Sequence, residues 1–97
     1  MSMEDLRKQI DRIDEELLSL LNRRAECALR IGEEKRRVGA PLLDPGRETH
    51  VLARVKKLNG GPLSPAQVGA IYAVIMKECA GIQAQPARTP AGEARVS

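Results

Sequence analysis

From Leu6 to Ile31 the chain repeats apolar residues at helical spacing. At about 100° of rotation per residue, Leu6, Ile10, Ile13, Leu17, Leu20, Leu21, Ala28 and Ile31 share one sector roughly 100° wide. Two cations interrupt it: Arg24 lands near the middle of the sector, and Lys35 returns to it about three turns later. A charge turned toward an apolar interior is costly unless it meets an opposite charge or keeps its head in water. Two readings stand at this point. Either both heads snorkel along the stripe edge, or the stripe lines an interior that receives an anion. The central place of Arg24 on so long a stripe keeps the second reading open.

The stripe predicts a first helix from Glu4 to Val38. Glu4 and Asp5 suit its positive N-terminal end, Arg36 and Arg37 its negative C-terminal end, and Gly39-Ala40-Pro41 stops it. At about 1.5 Å per residue this is a rod of roughly 50 Å. A compact monomer of this size has a radius of gyration near 13 Å. The rod outruns what its own chain can cover, so a second copy is expected on geometry alone. Asp44-Pro45 opens a second helix, with Val51, Leu52, Val55 and Leu58 as its apolar face and Asn59-Gly60-Gly61 as its end. Glu48 falls among Val51, Leu52 and Val55 on the helical wheel and is expected to point inward. Ser64-Pro65-Ala66-Gln67 has the spacing of a capping box and opens a third helix. Its inward face is Val68, Ile71, Tyr72, Ile75, Cys79 and Ile82, with Gln83 at the edge. Residues 84–97 are small and polar without periodicity, and are expected to form a disordered tail after a folded unit of residues 1–83.

The composition narrows the class. Tyr72 is the single aromatic residue among 97, so the core is aliphatic, and no segment alternates with period two; the expectation is an all-α fold. The net charge of +3 suits an anionic ligand, but 13 acidic residues are interspersed among 16 basic ones, so no basic run tracks a phosphate backbone. The lack of aromatics also argues against single-strand binding by stacking. Cys27 and Cys79, both expected on helices and partly buried, form neither a metal motif nor a disulfide framework. No segment reaches membrane-spanning length and the N-terminus lacks an apolar signal region, so a cytoplasmic location is expected, with neither membrane nor nucleic acid as partner.

The polar residues expected on inward faces are Arg24, Lys35, Glu48 and Gln83, with Arg47 and Asp44 beside Glu48. This set lacks the equipment of covalent or metal-assisted chemistry: His50 has no Ser or Cys partner, and there is no phosphate loop or metal-ligand cluster. Such a pocket can still catalyse by gripping an anion in a reactive conformation and stabilising charge that develops in the transition state. Each residue alone also has an ordinary structural explanation: a helix-dipole partner for Glu48, a local pair for Arg47, fraying for Gln83. It is their joint occurrence that points to a site.

The segments Leu6-Arg7-Lys8-Gln9-Ile10-Asp11-Arg12-Ile13-Asp14, Leu17-Leu18-Ser19-Leu20-Leu21-Asn22-Arg23-Arg24 and Ile31-Gly32-Glu33-Glu34-Lys35 resemble the first helix of the all-helical chorismate mutases, the AroQ class. The likeness is greatest to the N-terminal mutase domain of bifunctional chorismate mutase–prephenate dehydratases. Asp44-Pro45-Gly46-Arg47-Glu48 is similar to that family's second-helix entry, and Cys79-Ala80-Gly81-Ile82-Gln83 to its third-helix ending. The resemblance implies an intertwined homodimer of three-helix chains that rearranges chorismate to prephenate without cofactor or metal. By position, it implies that Arg7 of the partner subunit, Arg24 and Arg47 hold the two substrate carboxylates. It further implies that Lys35 and Gln83 donate to the ether oxygen, and that Glu48 and Asp44 engage the ring hydroxyl. Cys79 stands where many relatives carry Ser, and a thiol is the weaker donor. No dehydratase portion follows Gln83, so no regulatory phenylalanine site is expected; whether the chain stands alone or is one domain of a longer protein is left open. The family also leaves room for another shikimate-pathway enzyme as an activating partner. Two competing readings remain: an isochorismate–pyruvate lyase on the same fold, and a non-catalytic helical dimer, which gives no reason for Arg24, Lys35 and Glu48 to face inward.

Overall fold

The structure, a computed structural model, describes residues 1–85. Three helices account for most of them: α1 (Met3–Val38), α2 (Pro45–Leu58) and α3 (Pro65–Gln83), with no strand among the described residues. The expected tail lies outside the described residues from Pro86 onward.

Local chemistry sets each boundary. Ser2 Oγ accepts the Asp5 N–H at 3.1 Å while Asp5 Oδ2 accepts the Ser2 N–H at 3.2 Å, a capping box that starts α1 one residue before the predicted Glu4. At the other end Gly39 adopts φ 74°, the left-handed conformation glycine takes without steric cost. Its N–H reaches the Arg36 carbonyl at 3.4 Å, and the Ala40 N–H reaches the Lys35 carbonyl at 2.8 Å. Together they close the helix in a Schellman pattern. Asp44 Oδ1 accepts the Arg47 N–H at 3.0 Å ahead of Pro45 to open α2. Asn59 bridges the α2–α3 turn by donating Nδ2 to the Leu63 carbonyl at 2.7 Å. Ser64 and Gln67 form the second capping box, at 3.1 and 2.9 Å.

Helix α3 packs against both α1 and α2, whose backbones stay apart from each other. The result is a plate of 52 × 38 × 15 Å with a radius of gyration of 16.8 Å, against about 12–13 Å for a compact domain of this length. Its interior is small. Among the described residues, Ala28, Val51, Val68 and Cys79 are the buried apolar side chains, joined by Gly32. Every residue from Met1 to Leu20 is exposed, and the stripe residues Leu6, Ile10, Ile13, Leu17 and Leu20 remain 45–58% accessible. The apolar face read from the sequence is present, but over this stretch the described residues do not cover it.

Three expectations need correction. Ile71 is exposed rather than inward: at 100° per residue it sits at the edge of the arc formed by Val68, Tyr72, Ile75 and Cys79, on the side of exposed Val74. Leu58, the final residue of α2, is exposed, with no element among the described residues over it. Cys27 is exposed, whereas Cys79 is buried as read. No helix among the described residues is long and apolar enough to cross a membrane.

Candidate functional site

The gap between α1 and α2, floored by the C-terminal part of α3, forms a cavity of about 410 Å³. Helical spacing on all three elements builds its wall. Arg24, Cys27, Ala28, Ile31 and Lys35 come from one face of α1; Arg47, Glu48 and Val51 come from the first turns of α2; Met76, Cys79, Ala80 and Gln83 come from one face of α3. Leu42, Leu43 and Asp44 of the intervening connection complete it. Seven of the eight residues singled out in the sequence, Arg24, Lys35, Asp44, Arg47, Glu48, Cys79 and Gln83, therefore meet around one space. Arg7 does not. It is exposed, and lies about 25 Å along α1 from Arg24 at about 1.5 Å per residue. His50 is exposed and takes no part in the wall.

A part-buried polar contact joins α1 to α3. Lys35, half-buried, donates Nζ to Gln83 Oε1 at 2.9 Å and to the Leu42 carbonyl at 2.8 Å. An ammonium has three hydrogens and no acceptor, so one remains for a ligand. With Oε1 engaged by Lys35, the Gln83 amide turns its Nε2 hydrogens to other partners, and among the described residues they have none. Two donors thus stand side by side at the cavity wall.

The charges around the cavity are three cations, Arg24, Lys35 and Arg47, and two carboxylates, Asp44 and Glu48. None of these five is ion-paired within 4.0 Å; among the described residues the one ion pair joins Arg37 to Glu34, away from the cavity. There the Arg37 hydrogen bond holds the exposed Glu34 carboxyl below its ordinary value, and Glu34 in turn raises Arg37. The cavity cations are left for an anionic ligand, while Asp44 is partly committed as the α2 cap. No three His, Cys, Asp or Glu residues converge as metal ligands among the described residues. The surrounding Ile31, Leu42, Leu43, Val51 and Met76 supply an apolar wall that strengthens any electrostatic contact within it.

Sequence reasoning missed several of these residues. Met76 and Ala80 lie seven and three positions before Gln83, so helical spacing alone carried their signal. Leu42 and Leu43 carried none: they sit in a connection whose path depends on how α2 docks, and Leu42 contributes a backbone carbonyl that any residue would supply.

Comparison with known proteins bears on the family and the fold. The sequence profile of the family described as chorismate mutase type II matches residues 6–84. A bifunctional chorismate mutase/prephenate dehydratase of Aquifex aeolicus is 40% identical over 85 residues, which is 84% of this chain and 24% of that protein. The chain therefore spans about a quarter of the length of that curated relative. Chorismate mutase form II of Thermus thermophilus superposes with a TM-score of 0.85 at 29% identity, covering 89% of this chain and 98% of the other. The chorismate mutase of Helicobacter pylori, solved in complex with prephenate, superposes with a TM-score of 0.76 at 32% identity, covering 84% and 88%. A profile matched from α1 through the end of α3, the same three-helix architecture, and the cationic cavity between the helices converge: the chain belongs to the type II chorismate mutase family.

Proposed function

We propose that this chain converts chorismate to prephenate as a homodimer with two sites, as a step of phenylalanine and tyrosine biosynthesis. The observation that carries the reading is the Lys35–Gln83 pair: Lys35 Nζ donates to Gln83 Oε1 at 2.9 Å, which leaves hydrogens of both side chains free beside Arg24 and Arg47 in one apolar-walled cavity. The reaction is an intramolecular rearrangement. The ether C–O bond breaks as a new C–C bond forms, and no proton, electron or external group is transferred. What a catalyst must supply is a compact, reactive conformation of a flexible dianion and stabilisation of the oxygen that gains charge. Arg24 and Arg47 hold the carboxylates, the free hydrogens of Lys35 and Gln83 meet the ether oxygen, and Glu48 with Asp44 receives the ring hydroxyl. Cys79 adds at most a weak donor beside the arginines. Each role falls to a side chain, so the mechanism calls for no cofactor.

The dimer supplies what one chain lacks. Support comes from the uncovered stripe of Leu6, Ile10, Ile13, Leu17 and Leu20. It comes also from Arg7, which sits on the uncovered half of α1 and reaches a site containing Arg24 only if that site belongs to another copy.

The test is direct. Purified chain is incubated with chorismate, with and without a chelator, and the product is identified by mass and chromatography. Prephenate formed at a rate that chelator does not alter is the expected result. Untouched chorismate, with pyruvate released from isochorismate instead, would replace this reading with the lyase.

A further inference from the structure

Gln83 is the last residue of α3, a place where a helix leaves its final carbonyls without partners. A 3₁₀-type bond serves Ile82, whose carbonyl accepts the Gln85 N–H at 3.1 Å, but for Gln83 the usual remedies are missing: Ala84 rather than glycine follows, and the last turn of α3 has no basic residue. Instead a residue of another helix intervenes. Arg36 of α1 donates Nη1 to the Gln83 carbonyl at 2.8 Å. One turn earlier on α1 lies Gly32, buried and with ordinary negative φ, so conformational freedom does not explain it. Space does. A Cβ at position 32 would lie 2.4 Å from the Gln83 carbonyl oxygen and 2.8 Å from its Cα. The end of α3 rests on α1 at the one point where α1 has no side chain.

We infer that Gly32 and Arg36 are positioning residues that clamp the Gln83 backbone, Gly32 by admitting it and Arg36 by holding it. The clamp acts through Gln83: with the backbone fixed, the side-chain amide is presented to Lys35 at 2.9 Å and its Nε2 to the cavity. Lys35 and Arg36 are neighbours on α1, so the same helix fixes both the ammonium and the amide against which it is set. The kinetic consequence rests on the proposed rearrangement, whereas the clamp itself does not.

The experiment therefore reads both. kcat and KM for chorismate are measured for wild type, Arg36→Met, Arg36→Lys and Arg37→Met, alongside the Gln83 side-chain ¹⁵N amide resonance, assigned by its loss in Gln83→Ala. Misplacement of a group by 1 Å can cost on the order of 10²-fold, so Arg36→Met is expected to lower kcat about tenfold while KM changes less. Its Gln83 resonance is expected to shift. Arg36→Lys should recover most of both, and Arg37→Met, whose partner is Glu34, should change neither. In the Gln83→Ala background, Arg36→Met should have little further effect, because its route to the reaction is gone. An equal loss in that background would show Arg36 acting as a bare charge and overturn the inference. So would a lowered melting temperature with kcat and the resonance unchanged. A wild type inactive on chorismate would sink the rearrangement reading, yet the Gln83 resonance would still decide the clamp. Gly32→Ala should move that resonance further; if it does not fold, the Arg36 series stands alone.

Discussion

Arg7 and Lys35 offer a sharp test of a shared site. Both lie on the single continuous helix α1, separated by roughly 42 Å at about 1.5 Å per residue. No side chain spans that distance, so one chain cannot bring both to one ligand. The perturbation is a pair of variants, Arg7→Ala and Lys35→Ala, each expected to be inactive as a homodimer. They are unfolded together and refolded, with wild type carried through the same cycle as the recovery control. With random pairing in a two-fold dimer, about half the molecules are mixed. If each site takes Arg7 from one subunit and Lys35 from the other, a mixed molecule places both lesions in one site and leaves the other intact. Half the dimers with one working site of two gives roughly a quarter of wild-type activity, read as the rate of chorismate loss. Within-chain sites would each keep a lesion, and the mixture would stay inactive. That outcome, with a recovered wild-type control, would refute the shared-site reasoning.

Two further outcomes follow from the same geometry. Lys35→Met keeps the aliphatic stem and removes the ammonium, and turnover should fall by about 10²–10³ or more. From sequence alone, loss of an inward cation is expected to relieve desolvation and leave folding intact. The structure adds two hydrogen bonds, to Leu42 and Gln83, each worth about 1 kcal/mol, so the variant should fold with a lower melting midpoint; a folded variant with near-normal kcat would mean that Lys35 merely snorkels. Ile13→Glu places a charge on the uncovered stripe, where Ile13 is 58% exposed, and should shift the mass measured by light scattering from dimer to monomer. A dimer that survives the change would put the interface elsewhere.

The helices and their boundaries were legible because they follow from local chemistry. Apolar spacing, the Ser64–Gln67 box, Asp44-Pro45 and Gly39 all act within a turn or two of the chain. Arg24, Lys35 and Gln83 were legible for a related reason: a polar residue on an apolar arc is visible on a helical wheel without knowing what it faces. The wheel gives an angle and not a neighbour. It could not tell that Ile71 lies outside the arc α3 buries, nor that the Leu42 carbonyl stands opposite Lys35. The role of Gly32 was hidden twice over, since a missing side chain leaves no pattern and its meaning comes from Gln83, a residue brought against it only by the crossing of α3 over α1.

The thinness of the plate, 15 Å across with four buried apolar side chains, bears on how such a molecule persists in solution. In the proposed dimer the exposed stripe is covered only on association, so the part of the stability it supplies rises with the logarithm of concentration. For that dimer, dilution works against the fold as well as against the assembly.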